Sequence, residues 1–250
     1  SLMPPRFFAP KLSALDVVVT LPLDEAQHLR QVLRLDVGEI IHIFDGKGQE
    51  CEAKVEYVGR RDVRVRPVAS VQPLPESSLQ LTLAPALLKG RQLDLVIRDA
   101  TMLGVVAIQP LISTNMVVPA AVAQRGSLLD RWRRIAVSSA KQCGRAVVPE
   151  VRSPVDVGSL SCNDTSLSRV VLVEPALQVN GAVDLVTLVN QGRPDSLTLA
   201  VGPEGGWTSA EIEKLGNAQF IPLTLGVRTL RAAAAPAVLI AALLSHWGEF

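Results

Sequence analysis

Leu197-Thr198-Leu199-Ala200-Val201-Gly202-Pro203-Glu204-Gly205-Gly206-Trp207-Thr208-Ser209-Ala210-Glu211 is an apolar run, a glycine-rich turn and a helix start in direct succession. The uninterrupted run Leu197 to Val201 suits a strand buried on both faces. Thr208 and Glu211 have the spacing of a capping box, so a helix is expected to begin there. Apolar runs at Leu79 to Leu83, Val105 to Ile112, Val170 to Val173 and Phe220 to Leu225 read as further buried parallel strands. Helical periods fall between them, near Gln92 to Leu103, Leu128 to Cys143, Ser209 to Leu215 and Ala233 to Trp247. Alternation of this kind predicts an α/β domain with a parallel sheet and helices on both of its faces.

The N-terminal part is patterned differently. Ile40 to Phe44 is β-prone, Asp45-Gly46-Lys47-Gly48 signals a turn, and Glu50 to Val58 alternates its apolar residues, which together predict a hairpin. Gly59-Arg60-Arg61-Asp62 supplies another turn before Val63, Val65 and Val68, with arginines on the alternate face. Asp24 to Arg34 reads as a short helix with Leu29, Val32 and Leu33 pointing inward. A small antiparallel barrel or sheet follows. The proline- and serine-containing stretch Val71 to Ser78 has the composition of a linker, which places one domain at 1–72 and a second at 77–250.

At 250 residues the chain accommodates two such domains. Apolar residues make up 48%, yet no run approaches the roughly 20 needed to span a bilayer, and the start lacks the charged and apolar regions of a signal peptide. A cytoplasmic protein without membrane contact is expected. Cys51, Cys143 and Cys162 are odd in number, far apart and without metal-ligand spacing, which argues against a disulfide framework and a zinc site. His28, His42 and His246 sit in no nucleophile elbow or metal-binding pair, which argues against a hydrolase or a metal enzyme.

The formal net charge is only +1, but the cations are clustered. Arg125, Arg131, Arg133, Arg134, Lys141 and Arg145 lie close together with the single acid Asp130, and Arg60, Arg61, Arg64 and Arg66 form a second group. Such clusters suit a polyanion footprint, and an ordinary solvated face would look the same. On a helix advancing about 100° per residue, Trp132, Ile135, Ala136, Ser139, Ala140 and Cys143 form one stripe. Arg131, Arg134, Lys141 and Arg145 are expected on the opposite face, with Gln142 at the border.

A glycine-rich turn between strand and helix lets a ligand approach the main chain. Gly202 to Gly206 is neither the dinucleotide fingerprint nor a Walker loop, so phosphate is not the obvious ligand. Glu204 would favour a cationic one, although a tight turn with Glu204 in solvent is written with the same residues. A second loop, Leu225-Gly226-Val227-Arg228-Thr229-Leu230-Arg231, follows the next strand and is expected beside the first, since ligand loops gather at the carboxyl ends of parallel strands.

These two segments resemble the small-subunit ribosomal RNA uridine-N3 methyltransferases of the SPOUT superfamily. Arg6-Phe7-Phe8, His28 to Arg34, and Arg131-Trp132 through Gln142, Arg145 and Val148-Pro149-Glu150 resemble other signatures of that family, so the likeness covers both domains. It implies an N-terminal PUA-like RNA-binding β-barrel and a deeply knotted SPOUT-type α/β domain that forms the cofactor site and a homodimer interface. The implied cofactor is S-adenosylmethionine, held by Gly202, Pro203, Glu204, Gly205, Gly206, Leu225, Gly226 and Leu230. The implied partner is 16S ribosomal RNA or the small ribosomal subunit, contacted by Arg6, His28, Arg34, Arg134, Lys141, Gln142 and Arg145.

Two departures from the family pattern remove polar groups. Leu230-Arg231-Ala232-Ala233-Ala234-Ala235 stands where relatives usually read Leu-Arg-Thr-Glu-Thr-Ala, and Asp99 to Gly104 replaces a lysine followed by Thr-Glu-Leu-Gly. They motivate a second reading, an RNA-binding assembly protein that kept the fold without turnover. A ribose 2′-O-methyltransferase is a third. For the leading reading, catalysis consists of alignment, removal of the imide proton and stabilisation of the developing anion. Arg228 and Arg231 are the candidates for the last role, and no residue presents itself as general base.

Overall fold

The computed structural model describes residues 4–123, 125–160 and 168–250. Cys162 lies outside them. The chain divides into two compact units, Ser1–Glu76 with Val137–Val148, and Ser77–Ala136 with Pro149–Phe250.

In the first unit, strands β1 (Arg6–Phe8), β2 (Val19–Thr20), β3 (Ile40–Phe44), β4 (Glu50–Val58) and β5 (Val63–Val71) form one sheet in the order β1-β3-β4-β5-β2. β3, β4 and β5 are successive antiparallel neighbours, as the two turn signals require, and β1 joins β3 in parallel. Asp45 closes the first turn by accepting the N–H groups of Lys47 and Gln49 at 2.7 and 2.9 Å. Ile41, Ile43, Ala53, Val55, Val63 and Val65 line the buried face with Phe7 and Leu29. Val68 is a correction: the inward alternation of β5 runs Val63, Val65, Pro67, which leaves Val68 exposed.

The expected helix Asp24 to Arg34 is also different. Helix α1 (Leu23–Gln27) passes into a π-helical turn, His28–Leu33, that ends at Arg34 in the left-handed region. The wider i→i+5 winding rotates successive side chains away from the 3.6-residue stripe. Leu29 is fully buried, whereas Val32 and Leu33 face solvent.

Residues Val137–Val148 group with the first unit. Arg6 explains the grouping. Its guanidinium forms a two-pronged pair with Glu50 at 2.9 Å and donates to the carbonyls of Ala140, Lys141 and Arg145. The Lys141 ammonium meets both carboxylate oxygens of Glu25 at 2.9 Å, and Arg145 is paired with Glu76 at 2.7 Å.

The second unit contains β6 (Gln80–Pro85), β7 (Ala107–Ile108), β8 (Leu111–Ile112), β9 (Glu150–Val151), β10 (Val155–Asp156), β11 (Ser168–Leu172), β12 (Val183–Asp184), β13 (Ser196–Val201) and β14 (Ile221–Thr224). Seven of them form an all-parallel sheet in the order β12-β14-β11-β13-β6-β7-β9, while β8 and β10 pair separately. The single strand expected over Val105 to Ile112 is therefore two, in different sheets. Pro110, which has no N–H to give a ladder, stands between them.

Helices α2 (Gln92–Met102), α3 (Ala120–Ala123), α4 (Gly126–Cys143), α5 (Leu185–Val189), α6 (Ser209–Asn217) and α7 (Ala235–Trp247) complete the chain. On α4, Trp132, Ala136, Ser139 and Ala140 are buried, as the stripe requires. The opposite row of cations is broken. Arg131 is paired with Asp94, and Arg145 lies beyond the helix end with 7% of its surface exposed.

The capping box of α6 is complete. Thr208 Oγ1 accepts from Glu211 N, and Glu211 Oε2 accepts from Thr208 N at 2.9 Å. Glu211 Oε1 also accepts the N–H of Thr114 at 2.7 Å, which ties the helix start to the chain after β8. Burial pushes the Glu211 carboxyl up, but hydrogen bonds from Thr208 and Thr114 outweigh it and hold the group below the ordinary glutamate range. A depressed folded-state value means that this stabilisation is present above the unfolded pKa of about 4.3 and is lost as pH falls through the folded value. Glu211→Gln is expected to lower stability by about 2 kcal/mol at pH 7 and to flatten the acid limb of the stability profile, read by urea unfolding at pH 7 and pH 4.

Candidate functional site

β14, β11 and β13 are parallel neighbours, so the chain leaves all three at the same edge of the sheet. The segments that follow them wall a cavity of about 710 Å³, with Gln92 and Leu95 of α2 completing the lining. This volume falls in the range of roughly 300–1,000 Å³ typical of small-molecule and cofactor sites. β13 and β14 are not adjacent to each other. β11 separates them, and its own continuation, Val173 to Leu177, supplies a wall that the two-loop expectation left out.

The wall after β13 is shaped by what its glycines exclude. Gly206 has φ +70°, where a side chain is strained, and a Cβ there would lie 3.1 Å from Glu174 Oε1. A Cβ on Gly202 would lie 3.1 Å from the Trp207 ring. Trp207 is buried, and its indole N–H donates to the Leu172 carbonyl at 3.0 Å, fixing the β13 loop to the end of β11.

Of the eight residues expected to hold a cofactor, Gly202, Pro203, Glu204, Gly206, Leu225 and Leu230 line the cavity. Gly205 and Gly226 do not. Gly205 backs onto Asn115, whose amide donates to the carbonyls of Gly205 and Gly206 at 3.2 and 3.1 Å, and Gly226 is exposed. Glu204 Oε1 accepts the N–H of Lys89 at 2.9 Å, so its carboxylate is anchored at the cavity wall. Glu174 is a second carboxylate in the lining and was missed by sequence reasoning. The available signal was its position, two residues past the end of a parallel strand.

Arg228 and Arg231 line the cavity, are exposed, and are held by no ion pair with a described residue. Ala232, Ala233 and Ala235 add apolar surface beside them. The residues expected to contact nucleic acid divide by environment. Arg34, Arg134 and Gln142 are exposed, and His28 is half-buried with its ring edge against Phe7. Lys141 is paired with Glu25, Arg6 is half-buried in its pair with Glu50, and Arg145 is buried against Glu76. Among the described residues no group of three or more His, Cys, Asp or Glu is placed to hold a metal ion, and no helix is long and apolar enough to cross a membrane.

An all-parallel sheet with one glycine-walled cavity at its strand ends, on a chain that begins with a small, mostly antiparallel sheet, has the fold class of the knotted SPOUT-type α/β proteins with a PUA-like barrel. The chain belongs to the RNA methyltransferase family: a model of the RNA methyltransferase domain matches residues 75–244, and one of the RNA methyltransferase PUA domain matches 21–68. Ribosomal RNA small subunit methyltransferase E of Synechocystis is 32% identical over 91% of this chain and 73% of its own length. The Neisseria gonorrhoeae protein of the same designation, solved bound to S-adenosyl methionine, superposes with a TM-score of 0.86 at 32% identity over 99% of each chain. A Legionella pneumophila methyltransferase, solved with the same cofactor, gives a TM-score of 0.87 at 28% identity over 98% of each chain.

The Trp207 anchor has a measurable weight. Trp207→Phe keeps a ring beneath Gly202 and removes the donor to Leu172, with an expected loss of about 1 kcal/mol. Trp207→Ala leaves a void as well and is expected to cost about 3–5 kcal/mol, both read by chemical denaturation.

Proposed function

We propose that this chain transfers a methyl group from S-adenosylmethionine to small-subunit 16S ribosomal RNA, and that the acceptor is N3 of a uridine. The observation that carries the reading is the cavity itself, in which the carboxylates of Glu174 and Glu204 share a lining with glycine main chain. The similarity to a structure solved with S-adenosyl methionine, over nearly the whole chain, supports it.

The residues present fit that cofactor. Its sulfonium is cationic and its adenine has flat apolar faces, and the cavity offers two carboxylates together with Leu172, Val201, Leu225, Leu230 and Ala235. When bound, S-adenosylmethionine supplies an already activated methyl group. Glu174 and Glu204 favour a positive charge within the cavity. Gly202 and Gly206 keep the wall open to main-chain approach, since a side chain at either would meet Trp207 or Glu174. Arg228 and Arg231 present guanidinium donors to a uracil oxygen, lowering the cost of losing the imide proton. Among the described residues no histidine or lysine lines the cavity, and in this reading the imide proton is lost to solvent rather than to Glu174 or Glu204, which face the cofactor charge. Arg34, Arg134 and Gln142 are the exposed candidates for RNA contact.

The protein is read as a cytoplasmic homodimer. α2 and α7 pack together and leave Leu95, Met102 and Val238 at least 40% exposed, an apolar face that a second copy would cover.

Gly206→Ala is expected to raise the calorimetric Kd for S-adenosylmethionine about tenfold, from backbone strain and crowding of Glu174. Glu174→Gln should weaken S-adenosylmethionine more than the uncharged thioether product, S-adenosylhomocysteine; equal losses would mean that Glu174 acts without its charge.

Small subunits lacking the modification, treated with enzyme and analysed by nucleoside mass spectrometry, should yield N3-methyluridine. A 2′-O-methylated nucleoside, or tight cofactor binding without product, would overturn the reading. Arg228→Ala and Arg231→Ala should each lower kcat by about 100-fold with little change in cofactor Kd. The pH–rate profile of the parent enzyme should show no enzyme-based titration near neutrality.

A further inference from the structure

The second arginine group in the sequence, Arg60 to Arg66, takes no part in the cavity and lies in the first unit. It occupies the turn joining β4 to β5 and the strand that follows, and the turn is built rather than loose. The Gly59 N–H donates to the Asp62 carbonyl at 2.9 Å and closes it. Arg30, from the π-helical turn, donates to the carbonyls of Gly59 and Arg60, which fixes the turn from outside and adds a third guanidinium to it.

Arg60 and Arg61 are exposed and held by no ion pair with a described residue. Arg64 lies over Tyr57, with its guanidinium carbon 4.2 Å from the centroid of the ring. Asp62 lies 3.5 Å from Arg64, and Glu56 is paired with Arg66, so these acids offset two of the arginines. The remaining excess of positive charge sits at Arg30, Arg60 and Arg61.

The Tyr57 ring lies close against the turn, since a Cβ on Gly59 would fall 2.5 Å from it, and it serves as a support for Arg64. A guanidinium plane fixed in this way can stack on a base or fork onto a phosphate at little ordering cost. Unsupported arginines beside it suit phosphates alone.

We propose that the β4–β5 turn of the first unit is an RNA-backbone contact, in which Arg60 and Arg61 take phosphates and Arg64, laid over Tyr57, presents a planar stacking or forked contact. The proposal rests on the reading that the substrate is RNA, and it places part of the recognition on a turn outside the methyl-transfer cavity. The match of residues 21–68 to an RNA methyltransferase PUA domain covers the whole turn.

The test uses the full-length protein and in-vitro-transcribed small-subunit ribosomal RNA, with binding measured by filter retention between 50 and 200 mM KCl. Arg60→Ala/Arg61→Ala should weaken binding about tenfold and reduce the slope of log Kd against log salt by about 1.4, the value for two single-strand phosphate contacts. Arg64→Lys keeps the charge and loses the plane, so it should recover less than half of the affinity lost in Arg64→Ala. Lys11→Ala, which removes an exposed cation elsewhere in the sequence, sets the size of a nonspecific charge effect.

Cofactor Kd, measured on the same preparations by calorimetry, separates this proposal from the reading of the cavity, because it does not depend on the turn. An RNA Kd and salt slope in the double variant equal to those of Lys11→Ala would overturn the proposal, as would parent protein that fails to retain the RNA. Loss of S-adenosylmethionine binding in the parent would overturn the cavity reading and leave the RNA result standing.

Discussion

The hydrogen bond from the Trp207 indole to the Leu172 carbonyl sets the geometry on which the cavity depends. It joins the loop after β13 to the end of β11, and the same ring packs under Gly202. A buried donor in this position must be satisfied, so the ring orientation is determined by hydrogen bonding as well as by packing. With that ring placed, Gly206 falls beside Glu174, and an acidic group becomes part of a wall made largely of main chain and apolar side chains.

The parts of this arrangement that were legible in the sequence are those governed by local rules. The run Leu197 to Val201, the capping box Thr208/Glu211 and the stripe on α4 each follow from spacing within one element, and each is present. Glu174 and the placement of β11 between β13 and β14 depend on strand order, which no local pattern records. The π-helical turn at His28–Leu33 misled the periodicity argument for a different reason: a helical stripe is computed with one fixed winding, and the winding changes there. The family resemblance supplied the cofactor class, and composition alone never would have.

Cations show most plainly where sequence reasoning reaches its end. Arg6, Lys141 and Arg145 look in sequence like Arg60, Arg61 and Arg134, yet the first three are committed to Glu50, Glu25 and Glu76. A buried ion pair gains little net stability because desolvation offsets attraction, but losing one partner leaves a charge with no compensation. Removing Glu50, Glu25 or Glu76 alone would therefore cost more than the pair itself contributes. The acids that neutralise them lie far away in sequence, and a count of basic residues carries no trace of that.

The seven-stranded sheet has a further property at its two ends. Its outermost strands, β12 and β9, are two residues long, while the long strands β6, β11 and β13 all lie inside. An exposed strand edge is a template for another chain, and its hazard grows with the length of unpaired backbone it offers. Val183–Asp184 and Glu150–Val151 offer almost none, and each contains a carboxylate. The two ends of the sheet thus offer a further strand little unpaired backbone and an acid on each side, the arrangement that discourages edge-to-edge growth.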